Sequence, residues 1–451
     1  MFEMILPLIP VVIVITLIVI TKRIMESFVL ALFLVFFIIS PADMLTNLTD
    51  GIYVTLTGEV FSFLLVVTAL LGGNLRLITE SGGANGFAKL LEKMATSRPR
   101  ALLATYLAGI IVFIDEYLNA LVVTASMRTL TDKFNTPRVM LACTVNSVGV
   151  PLCMFTPISI WAAFYISLMY DNGLIEEFDM AIGIPLYLKV IPFMIFPIVY
   201  CLVFLLLLLG KLPLFGPMKT AFKRADETGD LFPASGRISE YDTSDREGNI
   251  LFFATPIVTM IVVILITMDF FIAGIISVAV NIAMLLATKK MTIRYVGDQM
   301  IEGVKDMAFV LTLILIIFTF VDALKDIGMV EVAVTAVSKF ATPATLPVIM
   351  FLIIAIISWL LGSFWGTAVL SLPILFELAG QMDVSPILMF GVMISGTCFS
   401  AVAAFSCESI LLCGQGAQIS PAEVGLANLP YAILTLIITA VIFTVIGFVL
   451  Y

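Results

Sequence analysis

The stretch FIDEYLNALVVTASM, residues 113–127, sets Asp115 and Glu116 side by side inside an apolar run. From Ala101 to Met127 nothing else carries a formal charge. A charge at membrane depth costs at least ~2.5–3.5 kcal/mol on insertion scales, so paired carboxylates there point to function before packing. The pair predicts a transporter of ions or small charged solutes.

The surrounding composition agrees. Of 451 residues, 61% are hydrophobic and 12% charged, where soluble globules carry about 25% charged residues. Apolar runs of the ~17–25 residues needed to cross a bilayer recur along the chain. The net charge of −9 comes without a basic patch, which excludes a nucleic-acid partner. Residues 5–20 read as a retained first span, because Lys22 and Arg23 follow the apolar run and Glu3 precedes it. Histidine is absent, so proton chemistry must use carboxylates. Cys143, Cys153, Cys201, Cys398, Cys407 and Cys413 lie in or beside apolar segments, with neither a disulfide nor a zinc spacing. No metal cluster or phosphate loop supports an enzyme. No cofactor is expected beyond Na+ and H+ as transported or coupling ions.

Apolar segments fall at 4–21, 26–41, 58–75, 101–127, 139–170 and 183–210, and again at 249–268, 270–288, 306–323, 346–376, 385–413 and 427–450. A polar stretch, 211–248, separates the sets. At an offset of 246, Leu90–Thr96 aligns with Ala336–Thr342, Gly82 with Gly328, and Phe113–Asn119 with Trp359–Trp365. This predicts a first repeat over 1–210, a cytoplasmic linker over 211–248 and a second repeat over 249–451.

Charge sets the orientation. With both termini outside and segments 101–127 and 346–376 as re-entrant hairpins, 20 of the 23 lysines and arginines fall inside. Only Lys189, Lys325 and Lys339 stay out. Each half then has five spans plus a hairpin, an odd number that inverts the second half relative to the first. The expected fold is an all-α polytopic membrane protein of two inverted repeats, each with a hairpin and a broken helix. The expected location is the cytoplasmic (inner) membrane of a prokaryote. Stretches 77–98 and 324–344 read as amphipathic helices along the interface.

Asp115 and Asn119, four apart, share a helical face, and Glu116 projects about 100° away. Carboxylate, amide and free carbonyl oxygens at a hairpin tip suit a hard cation, which makes Asp115 and Asn119 the Na+ candidates. A buried carboxylate resists ionisation until a cation arrives, so one site can exchange Na+ for H+. The structural alternative has Asp115 capping the second arm and Glu116 bonded to Arg76 or Arg128. Segment 139–170 is interrupted by Asn146, Ser147, Pro151, Thr156, Pro157 and Ser159, with Pro151 and Pro157 bracketing an unwound piece. Its counterpart carries Ser395-Gly396-Thr397 and Ser406-Cys407-Glu408-Ser409; Glu408 is the third carboxylate at depth. Hydroxyls bonded back to their own helices are the plainer reading of these serines and threonines. Ser363 and Thr367 belong to the uncharged second hairpin, Gly362–Thr367. Asp322 and Asp326 read as interface residues.

FIDEYLNALVVTASMRTLTDKF (113–134), ISIW (158–161), Gly362–Thr367 and Leu429-Pro430-Tyr431-Ala432 together resemble the NhaC-type sodium/proton antiporters, from about Gly72 onward. The resemblance implies the ion-transporter fold, often as a homodimer. Asn146-Ser147-Val148 stands where that family has Asp-Ser-Thr. Of the acids in its second signature only Glu408 remains.

Two readings follow. The first is Na+/H+ antiport by alternating access: Asp115, Glu116, Asn119 and Glu408 hold the cation or proton, and Asn146, Ser147, Thr156, Ser159, Ser363, Thr367, Thr397 and Ser409 line the site. The second keeps the fold and moves a small organic anion or amino acid with Na+ or H+. The partners expected are the bilayer and small inorganic cations, or a small organic ion.

Overall fold

The structure is a computed structural model that describes residues 6–21, 23–92, 95–113, 116, 118–176, 180–233, 236–237, 248–267 and 269–451. Among these every regular element is a helix.

The first half opens with α1 (Leu8–Thr21), α2 (Ile24–Ile39), α3 (Met44–Thr57), α4 (Glu59–Glu80) and α5 (Gly83–Glu92). A hairpin follows: α6 (Arg98–Ile111), a π-helical turn at Leu118–Val123, and α7 (Thr124–Lys133). Next come the broken helix α8 (Arg138–Phe155) and α9 (Ile160–Asp171), then α10 (Met180–Val190) and α11 (Ile195–Leu208). The polar linker contains α12 (Gly216–Thr228).

The second half runs α13 (Leu251–Thr267), α14 (Phe270–Ala287), α15 (Ile293–Asp306), α16 (Ala308–Asp326) and α17 (Met329–Ser338). Its hairpin is α18 (Leu346–Leu361) and α19 (Phe364–Met382). Its broken helix is α20 (Pro386–Ala403) and α21 (Glu408–Ala417), and α22 (Pro421–Leu450) closes the chain. Helix starts recur at offsets of 246 to 249 residues: Ile24 with Phe270, Glu59 with Ala308, Gly83 with Met329, Arg138 with Pro386, Ile160 with Glu408.

Six described helices are long and apolar enough to cross a membrane, or eight if two bent pairs count as one span each. Polarity is arranged for a lipid solvent. On α22, Ile433, Ile437, Val441, Val445 and Phe448 are exposed at helical spacing, while Asn428, Tyr431, Thr435 and Thr439 face inward. The halves interlock reciprocally: α4 packs on α14 and α15, and α16 packs on α2 and α3. Glycine permits the closest of these approaches. A Cβ at Gly72 would sit 2.6 Å from the Gly303 carbonyl oxygen. Asn74 Nδ2 donates to Ser277 Oγ (2.9 Å) and Asn281 Nδ2 to Asn74 Oδ1 (2.7 Å), so hydrogen bonds between buried side chains join the halves.

Each hairpin turns back on itself. Arg98, opening α6, donates to the carbonyls of Phe134 (3.1 Å) and Asn135 (2.8 Å), just past α7. Arg98 also pairs with Asp226 at 2.6 Å, which docks α12 under the hairpin mouth. In the second half α18 lies parallel to α20: Gly396 abuts Ile354, Ser358 Oγ donates to Ser400 Oγ (2.5 Å) and Trp359 Nε1 to the Ala403 carbonyl (3.3 Å). Because α19 reaches α20 through a three-residue turn at 383–385, the two arms run in opposite directions.

Both breaks differ from expectation. Pro151 sits inside α8, and only Thr156–Ser159 is unwound. The proline removes the N–H owed to the Ser147 carbonyl, and Cys201 Sγ approaches that oxygen at 3.5 Å instead. Ser395-Gly396-Thr397 is helical, and the second break is at 404–407. The Thr397 hydroxyl bonds back to the Met393 (3.0 Å) and Ile394 (3.1 Å) carbonyls, so its polar group is satisfied within an unbroken helix. The stretches expected as interface helices, 77–98 and 324–344, contain the shorter helices α5 and α17, with α4 and α16 occupying their first residues.

Candidate functional site

The hairpin tips rest on the breaks. The Phe113 carbonyl accepts from Cys153 Sγ at 2.7 Å, near the end of α8. Gly362, at the opposite tip, has φ +65°, and a Cβ there would collide with Ser406 in the second break. Glycine is required on both counts.

Glu116 lies in this region and is 3% exposed. Its Oε2 accepts from Trp161 Nε1 at 2.8 Å, so the first turn of α9 holds the hairpin's carboxylate. The N-terminal end of a helix favours that charge. Ser159 makes this turn possible: its Oγ caps α9 by accepting from the Ala162 N–H (3.1 Å) and lies 2.6 Å from the Cys153 carbonyl. Arg76, one partner considered from sequence, pairs instead with Glu80 (3.7 Å) and Asp306 (3.6 Å). Asp115 lies outside the described residues.

Asn119 is fully buried on the π-helical turn. Its Nδ2 donates to the carbonyls of Gly109 (2.7 Å) and Val112 (3.1 Å), closing the last turn of α6. Oδ1 has no hydrogen-bond partner among the described residues and stays available as a ligand oxygen.

From the second half, Glu408 opens α21, 8% exposed. The π-helical turn of the first hairpin packs against α21, which Glu408 opens directly after the second break. Asn146 joins α8 to that break: its Nδ2 donates to the Ala401 carbonyl at 3.1 Å and approaches Ser409 Oγ at 3.4 Å. Ser409 Oγ itself donates to the Ala401 carbonyl at 2.8 Å. Asn428 completes the node, donating from Nδ2 to Asn146 Oδ1 at 3.0 Å. The broken helices run antiparallel here, since Arg138 at the start of α8 donates to the Ala417 carbonyl (3.3 Å) at the end of α21.

The remaining hydroxyls serve their own helices. Ser147 donates to the Thr144 carbonyl (2.8 Å) and Thr156 to Leu152 (2.7 Å). Ser363 caps α19 through the Gly366 N–H (3.2 Å), and Thr367 donates to the Ser363 carbonyl (2.7 Å). Asp322 pairs with Lys325 at 3.1 Å near the end of α16.

Sequence reasoning passed over Trp161, Trp365 and Asn428 as site residues. Trp161 and Trp365 stack with centroids 4.2 Å apart and planes 22° apart. The signal for both was their place in the ISIW and Gly362–Thr367 motifs; Asn428 is a lone amide in the apolar last segment. Among the described residues no group of three or more Cys, Asp or Glu could hold a metal ion. A monovalent cation can be held by carbonyl and amide oxygens with one carboxylate.

Residues 152–448 match the profile of the Na+/H+ antiporter family, about two thirds of the chain. The chain belongs to that family. The match begins beyond the first hairpin, so it carries no information on Asp115 or Glu116. An uncharacterised protein of Haemophilus influenzae is 24% identical over 426 residues, covering 87% of this chain and 80% of that protein. The YdaH transporter of Alcanivorax borkumensis, whose crystal structure is described as showing an unusual topology, superimposes with a TM-score of 0.55 at 13% identity over 90% of each chain. MtrF of Neisseria gonorrhoeae, described within a class of antimetabolite efflux pumps, gives 0.47 at 16% identity over 90% of this chain and 85% of its own. The likeness to YdaH gives this family member a transporter fold. It is a multi-pass membrane protein and a secondary transporter.

Proposed function

We propose that this antiporter-family member exchanges Na+ for H+ across the cytoplasmic membrane of a prokaryote by alternating access. The observation that carries the reading is the buried Glu116 carboxylate, held by Trp161 at the start of α9 on a hairpin whose π-helical turn packs against α21 of the other half. Glu116, with Asp115, is the site for which Na+ and H+ compete. Asn119 Oδ1 supplies a neutral oxygen, and Asn146, Ser409 and Glu408 close the site from the far side. Occupancy by one positive species at a time gives exchange, because two cannot neutralise the same carboxylate.

In this reading the repeats 1–210 and 249–451 are inverted, the linker is cytoplasmic and both termini lie outside. The recurring helix order and the antiparallel broken helices support it. The two conformations then exchange the roles of the hairpins.

The test is a pH-gradient assay in proteoliposomes. Na+ or Li+ alone should dissipate the gradient through the wild-type protein and fail to do so through Glu116→Gln. Dissipation that requires an added carboxylate or amino acid would overturn antiport in favour of organic-solute transport.

A further inference from the structure

We propose that Trp161 is a positioning residue linking cation occupancy of the first hairpin to the posture of the second; this rests on the reading of Glu116 given above. The indole faces two ways. Its N–H holds Glu116 Oε2 at 2.8 Å, and its ring stacks on Trp365 at 4.2 Å. Phe364, the first residue of α19, lies 4.7 Å from the same ring, and Phe164 packs edge-on to Trp365 at 4.4 Å. Trp161 and Trp365 occupy the same position, second in the helix, at the starts of α9 and α19. One side chain therefore touches the carboxylate of one hairpin and the aromatic tip of the other.

The coupling follows from hydrogen-bond physics. An indole N–H bound to an ionised carboxylate makes a bond roughly twice as strong as one to a neutral acceptor. A cation on Glu116 draws the carboxylate's charge toward itself and weakens its hold on the indole. The ring then shifts against Trp365, which is itself poised to move. Trp365 Nε1 is buried with no hydrogen-bond partner among the described residues, a costly arrangement that another posture would relieve. At the same tip Gly362 fits against Ser406 without room for a side chain, so a small displacement there must be transmitted to the second break.

The chain has three tryptophans, and two of them form this stack. The stack's exciton couplet in circular dichroism, taken as wild type minus Trp365→Phe, reports the link without transport. In detergent, NaCl should change the couplet where choline chloride does not. Glu116→Gln should keep a couplet that ignores NaCl. Trp161→Phe keeps an aromatic ring, smaller than indole, and loses the N–H; it should elute as a folded protein and lose Na+-driven flux by at least tenfold. Trp161→Ala should be no worse than Trp161→Phe. A wild-type couplet blind to NaCl, or near-wild-type flux in Trp161→Phe while Trp161→Ala fails, would make the indole a filler of space and overturn the inference. Either result leaves the ion site standing if Glu116→Gln is inactive. Wild-type flux in Glu116→Gln would instead remove the functional reading beneath it.

Discussion

Glu116 and Gly362 occupy equivalent hairpin tips, 246 positions apart, and do opposite things. The first brings a charge to the centre; the second brings bare backbone. Glu116→Gln removes the charge for which Na+ and H+ compete, so Na+-driven exchange should fall to the background of protein-free liposomes with an unchanged gel-filtration profile. Gly362→Ala meets two penalties. Left-handed backbone costs a non-glycine residue ~1–2 kcal/mol, and the new methyl overlaps Ser406. Thermal melting in detergent should show Gly362→Ala destabilised. Adding Ser406→Ala removes the closest atom, Oγ, and should recover part of the loss, leaving at least about 1 kcal/mol from backbone strain and the remaining Cβ contact. Full recovery would mean the backbone there is free to readjust.

Two broken helices meet where Asn146 of α8 reaches the end of α20, Ser409 of α21 and Asn428 of α22. This amide node ties the first half to three elements of the second, so its members should not act independently. Interhelical hydrogen bonds in membranes average about 0.6 kcal/mol and reach ~1.7, which bounds the coupling between Asn146→Ala and Asn428→Ala in a double-mutant cycle. Strict additivity of the two melting shifts would show that the Asn146–Asn428 bond contributes nothing. The breaks themselves were partly legible. Prolines and hydroxyls marked the right segments, but Pro151 is accommodated by Cys201 from α11, and no local pattern contains that contact. Thr397, expected to line the site, donates its hydroxyl to the Met393 carbonyl of its own helix.

Across the whole protein, the proposed topology is open to labelling. The six cysteines are buried or half-buried, so a membrane-impermeant maleimide should label the wild type weakly in intact cells. With the linker inside, Lys219→Cys on exposed α12 should react only after permeabilisation. Lys339→Cys, beyond α17, should react in intact cells. The reverse pattern would turn the protein over and place the carboxylate hairpin on the other face.

Length and hydropathy fixed the class and the duplicated helix order, because lipid rewards apolar length along the chain without reference to distant contacts. The offset read from Gly82 and Gly328 reappears in the helix starts of Gly83 and Met329. Who partners whom was settled only when the halves folded together. Glu116 found an indole 45 residues away, Asn146 an amide 282 away, and Trp161 a ring in the opposite hairpin. A carboxylate's neighbours at depth are chosen by packing between helices, and a linear sequence records no such distances.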